Sequence, residues 1–281
     1  MPTCAPSRMP SGMARNMDQT NSSREISSDQ SMDALGRMRR GHEEELDRHL
    51  AAEALSATER TAVLERIRAS SDLAASFGNV DLVIEAATED RDAKAAIFAR
   101  IGTVTRPEIV LASNTSSIPI RELGAASGRP QMVIGMHFFN PPPVMALLEL
   151  TPSDDTSEET YAFVRAFGTE VLGKTCVRSG DQAGFIVNRL LIPYLFDAIR
   201  LYEAGFASRE DIDTAMRLGL AHPMGPLTLA DLIGLDTLLS IGEVLQEAFP
   251  GESKYEAPKL LRELVAEGKL GKKSGAGFYE S

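Results

Sequence analysis

Long apolar runs are missing from this sequence, and so are paired cysteines, an excess of positive charge and, at the start of the chain, aliphatic side chains. No apolar stretch approaches the roughly 20 residues that a membrane-spanning helix needs, and the first fifty residues carry no secretory signal pattern. The two cysteines, Cys4 and Cys176, fit neither a disulfide framework nor a zinc-ligand spacing, so a reducing, cytosolic setting is expected. Lysine and arginine number 29 against 40 aspartates and glutamates, a formal net charge of −11. That balance argues against nucleic-acid or membrane-surface binding. It leaves room for an anionic ligand, because a site needs only local positive groups.

What is present is enough for two domains: 281 residues, 43% hydrophobic and 25% charged. Residues 1–31, rich in Ser, Pro, Met and Asn, cannot bury enough apolar surface to offset the entropy of ordering, so disorder is expected there. A helical pattern starts near Met32, and Ser56 with Glu59 forms a capping box for a second helix. Between Val80 and Val177 short aliphatic strands alternate with helices: strands over 81–87, 109–114, 131–139, 145–152 and 174–179. Such alternation indicates a mainly parallel sheet covered on both faces. Beyond Asp181 the strands stop. Long helical patterns follow, one ended by Gly205, one capped by Ser208 with Asp211, and a sharp turn at HPMGP, which together describe an all-α domain. Three regions result: 1–31, 32–180 and 181–281.

Open parallel sheets bind ligands beyond the carboxyl ends of their strands. Three successive strand ends here carry Glu89, then Asn114-Thr115-Ser116-Ser117, then His137 with Asn140 beyond it. Any one of these is an ordinary turn former; their accumulation on one rim points to a site. His137 offers an imidazole, the side chain suited to proton shuttling near neutral pH. Glu149 sits between Leu148 and Leu150, where a carboxylate is costly unless a partner compensates it. His137 lies one hairpin away across NPPPVM. Spacing alone leaves two readings of Glu149 equal: a partner for His137, or a residue on the solvent face of an alternating strand. His42 and His49, among Arg and Glu, read as surface residues, and His222 before Pro223 as a packing or capping residue.

The segments DLVIEAATED, SNTSSI, GMHFFNPPPVM, GFIVNRLLIPYL, DIDTAMRLGLAHPMGPLTLADLIGLD and GKKSGAGFYE, in this order, resemble the 3-hydroxyacyl-CoA dehydrogenase family over residues 32–281, its bacterial 3-hydroxybutyryl-CoA subgroup most of all. The resemblance implies an α/β fold, a Rossmann-like mainly parallel sheet plus an all-α C-terminal domain that carries substrate contacts and the homodimer surface. It implies NAD-dependent, reversible oxidation of an (S)-3-hydroxyacyl-CoA to the 3-ketoacyl-CoA, in fatty-acid or butanoate metabolism. At matching positions it makes His137 the base, Glu149 the carboxylate that orients it, and Ser116 and Asn188 substrate contacts. Glu89, Lys94, Ser116, Asn140 and Lys273 become cofactor contacts. No metal, nucleic acid or membrane is implied. A non-catalytic remnant that binds CoA esters or dimerises is the second reading, and a related dehydrogenase of sugar acids or carnitine-like substrates the third.

One family element is not written here. The family opens with a strand, a G-x-G-x-x-G turn and a helix, whose backbone amides hold the pyrophosphate. In this chain Gly12 is the sole glycine before Gly36. The N-terminal βα unit is therefore expected to be missing or disordered, with neighbouring strand edges left open. Isothermal titration of the full chain is expected to give an NADH affinity weaker than micromolar; micromolar binding would show that the pyrophosphate is held by other means.

Overall fold

The chain is described here by a computed structural model, covering residues 25–28, 31–72, 76–77 and 80–280. Its strands form two sheets. In the smaller, β1 (Glu25–Ser28) pairs in parallel with β2 (Ile67–Ser70). Between them in the chain come α1 (Met32–Ala51), whose N-cap Ser31 hydroxyl accepts from Ala34 N, and α2 (Ala57–Arg66), which has the capping box expected at Ser56 and Glu59. Neither strand was expected. Most of the segment read as disordered lies outside the described residues, but its stretch 25–28 is a strand. A parallel ladder is held by backbone N–H···O=C bonds, which a reading based on apolar composition does not count.

The larger sheet has the order β3 (Leu82–Glu85), β4 (Val110–Ser113), β5 (Val133–Phe138), β6 (Leu147–Pro152) and β7 (Thr175–Arg178). All neighbours run parallel except β5 and β6. One face packs Val83, Leu111 and Val133 against Phe98 and Ile101 of α3 (Arg91–Val104) and Leu123 of α4 (Ile120–Ser127). The other gathers Val110, Ala112, Ile134, Met136, Leu148 and Leu150 beneath Val164 of α5 (Glu158–Ala166). Burial from both sides explains why these strands read as continuous aliphatic runs rather than alternating ones. Among the described residues β3 has a partner on its β4 side alone, and Ile84 remains 38% exposed.

The C-terminal region is helical, as expected: α6 (Val187–Glu203), α7 (Arg209–Leu220), α8 (Pro226–Ile233), α9 (Leu235–Ala248) and α10 (Lys259–Ala266). Phe196, Leu227, Leu238, Leu245, Tyr255 and Leu261 form its buried centre. A side-chain carbon at Gly242 would lie 2.4 Å from the Phe196 ring, so glycine is what lets α9 approach α6. Two buried aspartates tie the ends together. Asp213 accepts from Leu227 N and Thr228 N at the start of α8, and Asp231 accepts from Phe278 N and Tyr279 N near the C-terminus. No helix among the described residues is long and apolar enough to cross a membrane.

Candidate active site

The β5–β6 hairpin sets His137 directly opposite Glu149. On a pleated pair such residues share a face, and their side chains meet: His137 Nδ1 lies 2.7 Å from Glu149 Oε2. An ionised carboxylate can only accept, so Nδ1 carries the shared proton and Nε2 takes no part in that bond. Glu149 has no solvent exposure. Its second oxygen accepts from Ile186 N at 3.1 Å and Val187 N at 3.0 Å, the amides that open α6. A helix N-terminus is a favourable place for a negative charge. Of the two readings of Glu149, the partnered one is the geometry found. The imidazole is also held sideways, with the Phe139 and Phe185 rings at 4.6 and 5.5 Å between centroids.

The second part of the site is the turn after β4. Glu89 Oε1 accepts from Thr115 Oγ1 at 2.7 Å, Ser116 N at 2.8 Å and Ser117 Oγ at 2.8 Å, with Ser116 Oγ at 3.3 Å. The turn is thereby folded around one carboxylate oxygen. Asn114 Oδ1 accepts from Phe138 N at 2.9 Å, linking the turn to the strand that carries His137. The Ser116 carbonyl accepts from Gly184 N at 3.1 Å, and Asp181 accepts from Ile120 N and Arg121 N, so the helical domain is docked on the same rim. An open cleft of about 340 Å³ lies between Glu89, Ser116 and Ser117 on one side and Gly184, Ser240, Ile241, Val244 and Leu245 on the other.

The expected residues are not all gathered in one place. His137, Glu149, Ser116 and Glu89 fall on the rim, and Asn188 lies in the first turn of α6, buried, beside the amides that hold Glu149. Asn140 is exposed just beyond β5. Lys94 is buried with 2% exposure and bonds Glu85 rather than facing the cleft. Lys273 pairs with Asp236 at the start of α9, one helical turn before Ser240 of the cleft wall. His49 is exposed and pairs with Glu45, as expected of a surface residue, whereas His42 is half-buried with a buried Nδ1. His222 packs edge-on against Tyr194, whose hydroxyl lies 3.2 Å from its Nδ1. Glu85, Asp181, Phe185 and Ser240 escaped the sequence reading. For Glu85 the cue was available: a carboxylate within the aliphatic run LVIEA.

A rim of hydroxyls with one carboxylate suits ribose hydroxyls and a carboxamide, so these residues fit the nicotinamide end of NAD. The glycine-rich turn for its pyrophosphate is absent from the sequence. Burial pushes the Glu89 carboxyl up, but the bonds from Thr115, Ser117 and Ser116 N, together with the Lys94 charge, outweigh it and hold it below its ordinary value. A carboxyl depressed in the folded state contributes stability that is full above its unfolded pKa and is lost as pH falls through the folded one. In urea unfolding across a pH series, the stability gap between the parent and Glu89→Gln is therefore expected to be constant above about pH 5 and to shrink below about pH 4.3, the ordinary Glu value.

Known protein families and structures match this chain over most of its length. A profile of the 3-hydroxyacyl-CoA dehydrogenase NAD binding domain matches residues 8–182, and one of the C-terminal domain of the same enzymes matches 184–281. The first match reaches well before residue 32, where the resemblance in the sequence had been taken to start. A 3-hydroxybutyryl-CoA dehydrogenase of Mycobacterium tuberculosis is 49% identical over 83% of this chain and 82% of its own length. The human mitochondrial hydroxyacyl-coenzyme A dehydrogenase is 44% identical over 90% and 82%. The crystal structure of (S)-3-hydroxybutyryl-CoA dehydrogenase from Ralstonia eutropha superposes with a TM-score of 0.86 at 42% identity, covering 92% of this chain and 90% of that one. With the two profiles matching residues 8–182 and 184–281 in succession, this chain belongs to the 3-hydroxyacyl-CoA dehydrogenase family.

Proposed function

We propose that this chain is an NAD-dependent dehydrogenase that interconverts (S)-3-hydroxyacyl-CoA, 3-hydroxybutyryl-CoA in particular, and the corresponding 3-ketoacyl-CoA. The observation that carries the reading is the His137–Glu149 pair, 2.7 Å apart and shielded from solvent at the carboxyl end of a central strand. In the oxidative direction His137 Nε2 takes the proton of the 3-hydroxyl, and in the reverse direction the imidazolium returns it to the 3-oxygen. Glu149 holds Nδ1–H throughout, fixing the tautomer and stabilising the positive ring. Ser116, turning its hydroxyl from the 3.3 Å contact with Glu89, donates to the 3-oxygen, and Asn188 contacts the substrate from α6. The chemistry supplied by bound NAD is acceptance of the hydride from C3. Glu89, Asn140, Ser116 and Lys273 are assigned to hold the cofactor. Lys94, buried, is assigned to act through Glu89.

With acetoacetyl-CoA as substrate and NADH in large excess, turnover is expected from the parent chain. His137→Asn is expected to lower kcat by about 10²–10⁴, the usual span of a general acid–base contribution. Glu149→Gln, which keeps the shape and removes the charge, is expected to fall between the two. Absence of turnover in the parent, or full turnover in His137→Asn, would refute the assignment.

A homodimer through the helical domain is part of the same proposal. Leu190, Phe206, Leu218 and Leu220 are 71%, 78%, 77% and 60% exposed, in a stretch of chain spanning α6 and α7. Large apolar side chains exposed along one stretch of the helical domain support an interaction surface there. Size-exclusion chromatography with light scattering should report the mass of two chains, and Phe206→Lys with Leu218→Lys should move it to one. The cytoplasm is the proposed compartment, on the ground that the cysteines fit no disulfide framework.

A further inference from the structure

Glu85 ends β3 and is 6% exposed, outside every role assigned above. Its oxygens accept from Lys94 Nζ at 2.7 and 2.9 Å, from Ser113 Oγ at 2.8 Å and from Ala87 N at 2.7 Å. The Lys94 ammonium in turn lies 3.7 Å from Glu89 Oε2. Glu89 uses its other oxygen to fold the Thr115–Ser117 turn. One buried carboxylate thus reaches the turn by two routes. The first runs through Ser113, where β4 ends, and the second through Lys94 and Glu89.

Stability alone does not account for this arrangement. A buried ion pair can commonly be replaced by apolar residues of similar volume at no loss of stability. What an apolar pair could not do is direct hydrogen bonds to three separate segments: the loop after β3, the first turn of α3 and the end of β4. We propose that Glu85 is a positioning residue for the reaction, setting the Thr115–Ser117 turn and with it the Ser116 hydroxyl. The inference rests on the reading of Ser116 as the donor to the substrate's 3-oxygen.

The test compares binding of acetoacetyl-CoA with that of butyryl-CoA, which lacks the 3-oxygen, by calorimetry on the full chain without NADH. The parent should prefer acetoacetyl-CoA. In Glu85→Gln that preference is expected to fall about tenfold, the scale of one lost hydrogen bond, with butyryl-CoA affinity unchanged. Steady-state kcat is expected to fall about 10²-fold, as for a misplaced group, with KM for acetoacetyl-CoA rising alongside its Kd, by up to about tenfold. The double variant Glu85→Met/Lys94→Met, which removes both buried charges together, is expected to be at least as thermally stable as Glu85→Gln while the preference stays low, a separation that a merely structural role would not produce. Ser113→Ala, a small truncation that removes only the direct route, should lower the preference by about threefold. Parent-like preference and kcat in Glu85→Gln, or in the double variant, would overturn the proposal while leaving the dehydrogenase reading intact. No preference in the parent would overturn the role of Ser116 and the proposal with it, whereas turnover would still decide the function separately.

Discussion

A carboxylate removed from water must have its lone pairs answered by donors, and the arrangement of this protein follows from how Glu149 is answered. One oxygen takes the imidazole of His137, and the other takes two backbone amides from the start of α6. In the proposed reaction the first contact prepares a base. The second fixes where the helical domain stands on the sheet. Removing one partner of a buried charge typically costs about 3–5 kcal/mol, because the charge left behind is uncompensated. Acid–base chemistry and domain docking therefore share one group, and neither can be altered without disturbing the other.

The turn after β4 repeats this logic with a second set of charges. Glu89 draws the hydroxyls and an amide of Thr115, Ser116 and Ser117 onto one oxygen. Lys94, from the first turn of α3, compensates both Glu89 and Glu85. The loops after β3 and β4 thus meet through carboxylates rather than through apolar packing. Apolar contacts tolerate sliding. Hydrogen bonds to a buried charge do not, which is what a site that must hold a hydroxyl within reach of an imidazole requires.

Much of this was readable in the amino-acid sequence. Aliphatic runs located β3 to β7, and Glu149 between two leucines marked itself as a charge in need of a partner. Which way it pointed was not readable. In LLELT either phase of the alternation is compatible with a strand, and the deciding donors, Ile186 and Val187, lie more than thirty residues away in another domain. Glu85 offers the same cue as Glu149 in a weaker form, because it sits where the strand gives way to its turn. β1 and β2 left no trace because four-residue strands without an aliphatic run are held by backbone pairing. The burial of Lys94 was hidden too, since a lysine in the first turn of a helix ordinarily reaches solvent, and the carboxylate beneath it belongs to the preceding strand.

The chain between the sheet and the helices is short and bonded at several points. Gly184 N meets the Ser116 carbonyl, Asp181 caps α4, and α6 starts against Glu149. Such a junction has a consequence for descent. The two domains are not interchangeable modules, since a foreign helical domain would have to present its first amides at the same height above β6 to inherit the base. Exchange of one half for a foreign one would thus leave Glu149 without the donors it now has, unless the new half met it at the same height.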